Sequence, residues 1–363
     1  MTTGIDPSAR SDWVEFSDPE MLAPRPLVSV LMLAYNHAHL IPAAIDSVLD
    51  QRTHHAFELL IGDDCSTDDT LEVVRRYQSA HPHVIRVISG RRNVGTNENQ
   101  IRLLSFARGA LLAFCESDDW WCDDQKLERQ IAVFRDRPEV SICFHAARLF
   151  DQSLGGFVGT VNVGASPRDW SLDEVIVGGG GLLPTASVMV RATALCPMDE
   201  WWSKCDVTDY PIAIWAAAKG VCHSLPMAMS VYRTNVAHSW TKTNTGQVDR
   251  EWKHTLAAID LLGAFPAKAG RPDATAAVER MIRRYIRDFA AVHGSNAMLR
   301  LPDFAALRPS LSKGDRVALF AFNDPASLRM RGAWFAISRW RSLMRGSRRI
   351  ARLLRGTPPT IWR

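Results

Sequence analysis

Residues 28–70, VSVLMLAYNHAHLIPAAIDSVLDQRTHHAFELLIGDDCSTDDT, decide the fold class. The runs VSVLMLA and FELLIG are strand-sized and almost continuously apolar, the pattern of strands covered on both faces. Between them, residues 39–51 carry helical spacing, and Pro42 falls in the first turn, where a missing N–H is tolerated. The same strand–helix alternation continues downstream. DDCSTDDTLEVVRRYQSAH (63–81) predicts a loop and a helix, with Ser66 or Asp68 available as its cap. VIRVIS (84–89) predicts a strand, NENQIRLLSFARG (97–109) a helix and ALLAFCE (110–116) a fourth strand. A helix over 123–138 then leads into the strand VSICFH (140–145). Such alternation predicts an α/β fold built on a parallel sheet with helices on both faces.

After Arg148 the regularity loosens. GGFVGTVNVGASPRDW (155–170) and VGGGGLLPT (177–185) predict loops. ASVMV (186–190) predicts a strand, DVTDYPIAIWAAAKG (206–220) a helix closed by Gly220, and AMSVYR (228–233) a last strand. From Glu251 onward nearly everything has helical periodicity, whereas residues 1–25 predict a loose, proline-punctuated leader.

A chain of 363 residues with 47% hydrophobic content supports a large core. No apolar run approaches the length needed to cross a bilayer, and MTTGIDPSARSDWVEF lacks the basic start and apolar core of a signal peptide. Seven cysteines without a CxxC pair argue against a zinc site or disulfide framework and for a reducing cytoplasm. The net charge of +4 hides an asymmetry. From Pro325 to the end there are ten arginines, no lysine and no acid; removing those ten charges leaves residues 1–324 at −6.

In an open α/β sheet, ligands bind beyond the carboxyl ends of the strands. Four such ends are polar here: AYN (34–36), GDDCS (62–66), RRNVG (91–95) and ESDD (116–119). Each alone reads as ordinary loop polarity; their convergence reads as a site. The most demanding is LLAFCESDDWWCDD (111–124), where an apolar strand ends on adjacent carboxylates. Asp118 and Asp119 repel each other, and desolvating either costs several kcal/mol without a cation between them. Either the pair is wet or it holds Mg²⁺ or Mn²⁺, hard ions that share their coordination between carboxylates, water and substrate phosphates.

These segments, together with NVGTNENQIRLLSFARGALLAFCESDDWW (93–121), TASVMVRATAL (185–195) and TDYPIAIWAAAKG (208–220), resemble glycosyltransferase family 2. Those enzymes have a GT-A fold, use nucleotide sugars and invert the anomeric centre. The resemblance covers residues 26–240 and implies roles position by position. Tyr35, with Leu33 and Ala34, would line the nucleobase pocket, and Asp64 would hydrogen-bond the base. Asn93, Gly95 and Asn99 would lie along the ribose and sugar, with Asp118 facing them and Asp119 ligating the metal. Asp209 takes the place of the catalytic base; by residue chemistry alone a helix N-cap is the favoured reading, and the resemblance turns it to the base. His238 would lie near the diphosphate, although the usual YRxH reads YRTN here and Asn235 replaces the histidine. Trp120 or Trp121 could wall a sugar site, with core packing the competing role for them and for Trp201 and Trp202.

The resemblance thus divides the chain into a leader (1–25) and a catalytic domain (26–240) with donor half 26–145 and acceptor half 146–240. A helical extension (241–324) and a basic tail (325–363) follow. The implied partners are a nucleotide sugar, with a UDP-sugar favoured, and a glycan or lipid-linked acceptor in bacterial surface-glycan assembly. Residues 328–355 place Arg341, Arg345, Arg348, Arg352 and Arg355 on one helical face beside apolar positions. That pattern fits the anionic inner face of the cytoplasmic membrane, or packing on the body; nucleic-acid binding is disfavoured by the acidic body. A sugar nucleotidyltransferase would need a glycine-rich basic loop after the first strand, which AYNHAHL lacks. A non-catalytic nucleotide-sugar-binding protein would not need Asp64, Asp119 and Asp209 together. A processive synthase would carry QxxRW, but Ala336 stands before Arg339-Trp340.

Overall fold

The structure, a computed structural model, describes residues 13–196, 202, 207–237, 239, 242 and 245–293. The first elements are β1 (Trp13–Phe16), β2 (Val28–Ala34), α1 (Ile41–Leu49), β3 (Phe57–Asp63), α2 (Thr70–Ala80) and β4 (Ile85–Gly90). They are followed by α3 (Thr96–Phe106), β5 (Leu111–Phe114), β6 (Trp120–Trp121), α4 (Lys126–Asp136) and β7 (Val140–Asp151). The second half contains β8 (Gly156–Val161), β9 (Arg168–Trp170), α5 (Leu172–Gly178), β10 (Met189–Arg191) and α6 (Asp209–Lys219). Last come β11 (Val221–Thr234), α7 (Val248–Ala269) and α8 (Thr275–His293).

One mixed sheet carries them in the order β1-β4-β3-β2-β5-β10-β7-β11-β6. Strands β4, β3, β2 and β5 are mutually parallel, as are β7 and β11, while β10 joins the two groups antiparallel to both neighbours. Every residue of β2 is buried. Because side chains alternate across a strand, Val28, Val30, Met32 and Ala34 enter the core beneath α1 and α4. Leu31 and Leu33 enter the opposite core with Leu103 of α3. The continuous apolar runs of the sequence are therefore strands sandwiched by helices.

Four expectations need correction. The leader is not wholly loose: β1 pairs antiparallel with β4, and its Glu15 accepts from Arg86 Nε at 2.8 Å. Burial would raise the Glu58 carboxyl, but the Ser29 hydroxyl, Arg86 and Arg108 hold it below its usual range, and Arg86 carries this charge network out to β1. The segment 155–170 is not all loop, since β8 and β9 extend the sheet on β7 and β11. Its glycines and short strands erase the period-2 signal. Helix α5 was not expected either; Ser171 and Glu174 close a capping box around it. The last strand, expected over six residues, runs through fourteen because bulges between Leu225 and Ser230 let it bend and continue.

Helices α7 and α8 do not form a separate body. Leu261, Leu262, Phe265, Val278 and Met281 share one hydrophobic core with Tyr210, Trp215 and Phe144. Among the described residues no helix is long and apolar enough to cross a membrane. The basic tail lies outside the described residues.

Candidate active site

The carboxyl ends of β2, β3, β4 and β5 open on a cleft of about 400 Å³, within the range of small-molecule sites. Its first wall is built by mutual ties between the loops after β2 and β3. Asn36 sits at φ +55°, a left-handed conformation that Asn tolerates, and its Oδ1 accepts from the Thr67 N–H at 2.8 Å. The His37 N–H donates to Thr70 Oγ1 at 2.8 Å. The N-cap of α2 is Asp69, not the expected Ser66 or Asp68; Asp68 accepts from Thr70 N–H and from Ala38 N–H, tying the loops together. Ser66 instead accepts from Asn36 N–H. These bonds hold Leu33, Ala34 and Tyr35 at the rim, with the Tyr35 ring exposed to the cleft.

Asp64 lines the same wall. Its Oδ1 accepts from Val94 N–H at 2.9 Å and its Oδ2 from Gly95 N–H at 2.8 Å. The carboxylate therefore orders the RRNVG loop, and each oxygen keeps a further acceptor position. Asn93 and Gly95 reach the cleft through this arrangement. Asn99 is deeper and almost wholly buried, donating from Nδ2 to the Gly62 carbonyl at 2.8 Å and bonding Arg102 through Oδ1. A Cβ on Gly62 would stand 2.7 Å from Asn99 Oδ1, so only glycine lets α3 approach β3 this closely.

The floor carries three acids, Glu116, Asp118 and Asp119. Ser117 between them donates its N–H to the Leu33 carbonyl at 3.2 Å, and its hydroxyl meets His37 Nδ1 at 2.7 Å. Asp119 is 2% exposed and its Oδ1 accepts from the Arg233 N–H at 2.8 Å. Burial pushes the Glu116 carboxyl up to about 8, with Asp118 and Asp209 adding repulsion. Burial also raises Asp118, against the attraction of His37 and Arg233. Asp119 is driven well above the carboxylate range by burial and then by Asp118. Crowded, desolvated carboxylates are a donor set that a hard divalent cation fits. Among the described residues no three His, Cys, Asp or Glu side chains form a metal cage by themselves. The fit is therefore to an ion held jointly with ligand oxygens.

Asp209 lines the same cleft as the first residue of α6, with Thr208 as the N-cap. Its Oδ1 accepts from the Tyr210 N–H at 2.7 Å. Tyr210, buried, donates its hydroxyl to the Ile176 carbonyl at 2.7 Å and locks the start of α6 to α5. The cleft thus brings together Leu33, Ala34, Tyr35, Asp64, Asn93, Gly95, Asn99, Asp118, Asp119 and Asp209.

Neither Trp120 nor Trp121 is among its lining residues. Trp121 is core, its indole N–H donating to Ala186 O at 3.0 Å. Trp120 stands between the Arg233 guanidinium and Phe150 on the β6–β11–β7 edge. Trp202 packs edge-on against Trp215 in the core. Asn235 turns away from the cleft, at φ +58°, and donates to Asp151 Oδ2. His238 and Trp201 lie outside the described residues.

Sequence reasoning missed His37, Glu116, Thr185, Tyr232 and Ser239, which also line the cleft. Glu116 had a signal, since it opens the same acidic ESDD turn. Tyr232 and Thr185 had none, because β11 and the turn before β10 reach the cleft only through the fold. Arg233 adds a cation near Asp118 and Asp119, and its burial lowers its own proton affinity.

Comparison with known proteins bears on the fold and the family likeness. The family described as Glycosyl transferase family 2 matches residues 29–155. The uncharacterized protein Rv1520 of Mycobacterium tuberculosis (strain ATCC 25618 / H37Rv) is 30% identical over 222 residues, 60% of this chain and 62% of that protein. The chain thus spans less than two thirds of that relative. The UDP-Glc:alpha-D-GlcNAc-diphosphoundecaprenol beta-1,3-glucosyltransferase WfgD of Escherichia coli is 37% identical over 107 residues, 30% of this chain and 40% of that one. Among solved structures, S. aureus TarS 1–349 in complex with UDP-GlcNAc superposes with a TM-score of 0.55 at 16% identity, covering 78% of both chains. The mannosyltransferase PcManGT from Pyrobaculum calidifontis, in complex with GDP-Man and Mn²⁺, has a TM-score of 0.50 at 17% identity, covering 89% and 86%. At these identities the two structures establish the GT-A-like fold alone.

Proposed function

Because residues 29–155 form a glycosyl transferase family 2 domain, we propose that the cleft transfers a single sugar from a nucleotide sugar to an acceptor hydroxyl with inversion. The observation that carries this reading is the placement of Asp209 in one cleft with Asp64 and the acidic floor. The donor's base lies against Tyr35 and Asp64, its ribose and sugar run past Asn93, Gly95 and Asp118, and its diphosphate lies at Asp119. A UDP-sugar is the favoured donor, as in the TarS complex with UDP-GlcNAc.

Asp209 accepts the proton of the acceptor hydroxyl as that oxygen forms its bond to the anomeric carbon. The bond from that carbon to the diphosphate oxygen breaks, and its electron pair leaves with the nucleoside diphosphate. Attack from the face opposite the leaving group inverts the centre. Mg²⁺ or Mn²⁺ at Asp119 and Asp118 would supply charge neutralisation at the departing diphosphate. His37, bonded to Ser117, keeps the acidic turn oriented, and Arg233 adds positive potential behind it.

The acceptor class we propose is a glycan or lipid-linked sugar of bacterial surface-glycan assembly; the acceptor that WfgD is named for, alpha-D-GlcNAc-diphosphoundecaprenol, is a lipid-linked sugar. The ten-arginine tail would hold the enzyme at the anionic inner face of the cytoplasmic membrane. A thermal-shift panel of nucleotide sugars with and without Mn²⁺ tests the central reading. The expected result is stabilisation by one nucleotide class, enhanced by Mn²⁺, followed by release of that nucleoside diphosphate on incubation. No stabilisation by any nucleotide sugar would sink it.

A further inference from the structure

The glycine run Gly178–Gly181 begins at the last residue of α5 and passes beside Asp209. Each of its first two glycines has a packing reason. A Cβ on Gly178 would strike Leu182 at 2.5 Å, and Gly179 sits at φ +71° with its Cβ position 2.8 Å from Met281 of α8. Gly180 has neither constraint. Its φ lies outside the left-handed region, it is exposed, and a Cβ there would meet Tyr210 Cβ at 3.7 Å and Asp209 Oδ2 at 3.9 Å. Both are ordinary contact distances, so local packing tolerates a side chain at this position. Among the described residues, no side chain from this turn stands before Asp209 Oδ2.

The position is held firmly. Tyr210 bonds the Ile176 carbonyl, Arg284 Nη1 donates to the Val177 carbonyl at 3.0 Å, and Arg280 pairs with Asp173 at 2.9 Å. Helix α8 therefore clamps α5 and its glycine turn against the start of α6. Thr185 and Ser239 contribute hydroxyl-bearing residues to the cleft that Asp209 lines. A carboxylate sharing one cleft with such residues suits a ring that carries hydroxyls on its edge.

We propose that Gly180 is the specificity-determining residue of the acceptor subsite, keeping clear the volume in which the terminal pyranose of a glycan acceptor stands against Asp209. This rests on the glycosyltransferase reading and adds to it the acceptor's shape. A leucine at 180 would extend two C–C bonds of about 1.5 Å beyond Cβ, enough to occupy the space before Asp209 Oδ2. Water is small enough to reach the same oxygen past such a side chain.

The experiment uses the full chain with the nucleotide sugar selected by thermal shift, and the p-nitrophenyl β-glucoside, β-N-acetylglucosaminide and α-mannoside as acceptors. Transfer to these glycosides and hydrolysis of the donor by water are measured together for wild type, Gly180→Ala, Gly180→Val and Gly180→Leu. The expected result is transfer by wild type to at least one glycoside. Its transfer-to-hydrolysis ratio should then fall progressively with side-chain size, at least tenfold for Gly180→Leu, with the acceptor KM rising and the donor KM held. A structural role alone would instead lower thermal stability and both KM terms together, without that grading, and would overturn the proposal. An unchanged ratio in Gly180→Leu, or donor hydrolysis by wild type with transfer to none of the glycosides, would also overturn it while leaving the glycosyltransferase reading intact. Wild-type protein that neither binds nor hydrolyses a nucleotide sugar would remove both.

Discussion

The two walls of the cleft are built by different means. The wall proposed for the donor is made of loops that leave four parallel strands, β2 to β5, and its side chains accept from backbone N–H groups of neighbouring loops, as Asn36 does from Thr67 and Asp64 from Gly95. The acceptor-side wall is assembled from parts far apart in the chain. Asp209 is set by Tyr210 on Ile176, and that turn is in turn held by Arg284 on Val177. A donor site of this kind is a property of the sheet's topology. The acceptor side depends on where the C-terminal helices dock, and that docking shares the main core.

The largest effect expected from breaking this comparison is on the donor floor. Asp119→Ala should cost transfer on the order of 10³-fold, the scale of lost electrostatic stabilisation of a leaving group. Thermal denaturation should find the fold intact and the Mn²⁺-dependent stabilisation by nucleoside diphosphate gone. Full activity in excess chelator would refute the assignment.

Next in size is Asp209→Asn. Removing the base while retaining an acceptor oxygen for the Tyr210 N–H should reduce acceptor-dependent turnover by about 10²-fold or more, with donor affinity unchanged. Isothermal titration with the nucleoside diphosphate separates the two quantities. Turnover near wild type would leave Asp209 a purely structural helix start.

The acidic floor also predicts a pH dependence of stability. The Glu116 carboxyl, ordinarily near 4.5, is raised to about 8 in the folded protein. Between those values the folded state holds a proton that the unfolded state has released, so stability declines as pH rises through the window. The contribution is fully present below the unfolded value and lost above the folded one, and Asp118 and Asp119 shift in the same direction. Urea midpoints of the metal-free protein should therefore fall from pH 5 to pH 8, and Glu116→Gln should flatten that slope. Mn²⁺ with nucleoside diphosphate should reverse it, since the cation favours the ionised floor.

The smallest predicted effect tests the acceptor wall alone. Tyr210→Phe removes one buried hydrogen bond and should lower stability by about 1 kcal/mol. A chemical denaturation midpoint measures the loss. If the clamp matters as described, the acceptor KM should rise in this variant while nucleotide binding stays constant; equal changes in both would mean the two walls are not independent.

How much of this was legible follows the same division. The strands β2 to β5 announced themselves through nearly continuous apolar runs, because a strand buried on both faces admits few polar residues, among them Ser29, Glu58 and Arg86, which bond to one another. Their polar termini then marked residues that line the cleft, from Tyr35 to Asp119. Strands β8 and β9 and helix α5 were hidden, since short elements on a sheet edge need few apolar residues and carry weak periodicity. The tryptophan pair misled in part: adjacent residues on a strand face opposite ways, and neighbours alone decided that Trp121 enters the core while Trp120 lies beneath Arg233.

By itself the sequence determined the α/β class, the family likeness of residues 29–155 and the acidic turn at the cleft floor, because each is written in contiguous residues whose spacing fixes their geometry. Only the tertiary structure decided that Arg233 N–H lands on Asp119, 114 residues away in the chain. It likewise decided that α8 holds the glycine turn beside Asp209. Such contacts depend on how separate apolar faces pack into one core, and no local pattern encodes the partner each face will meet.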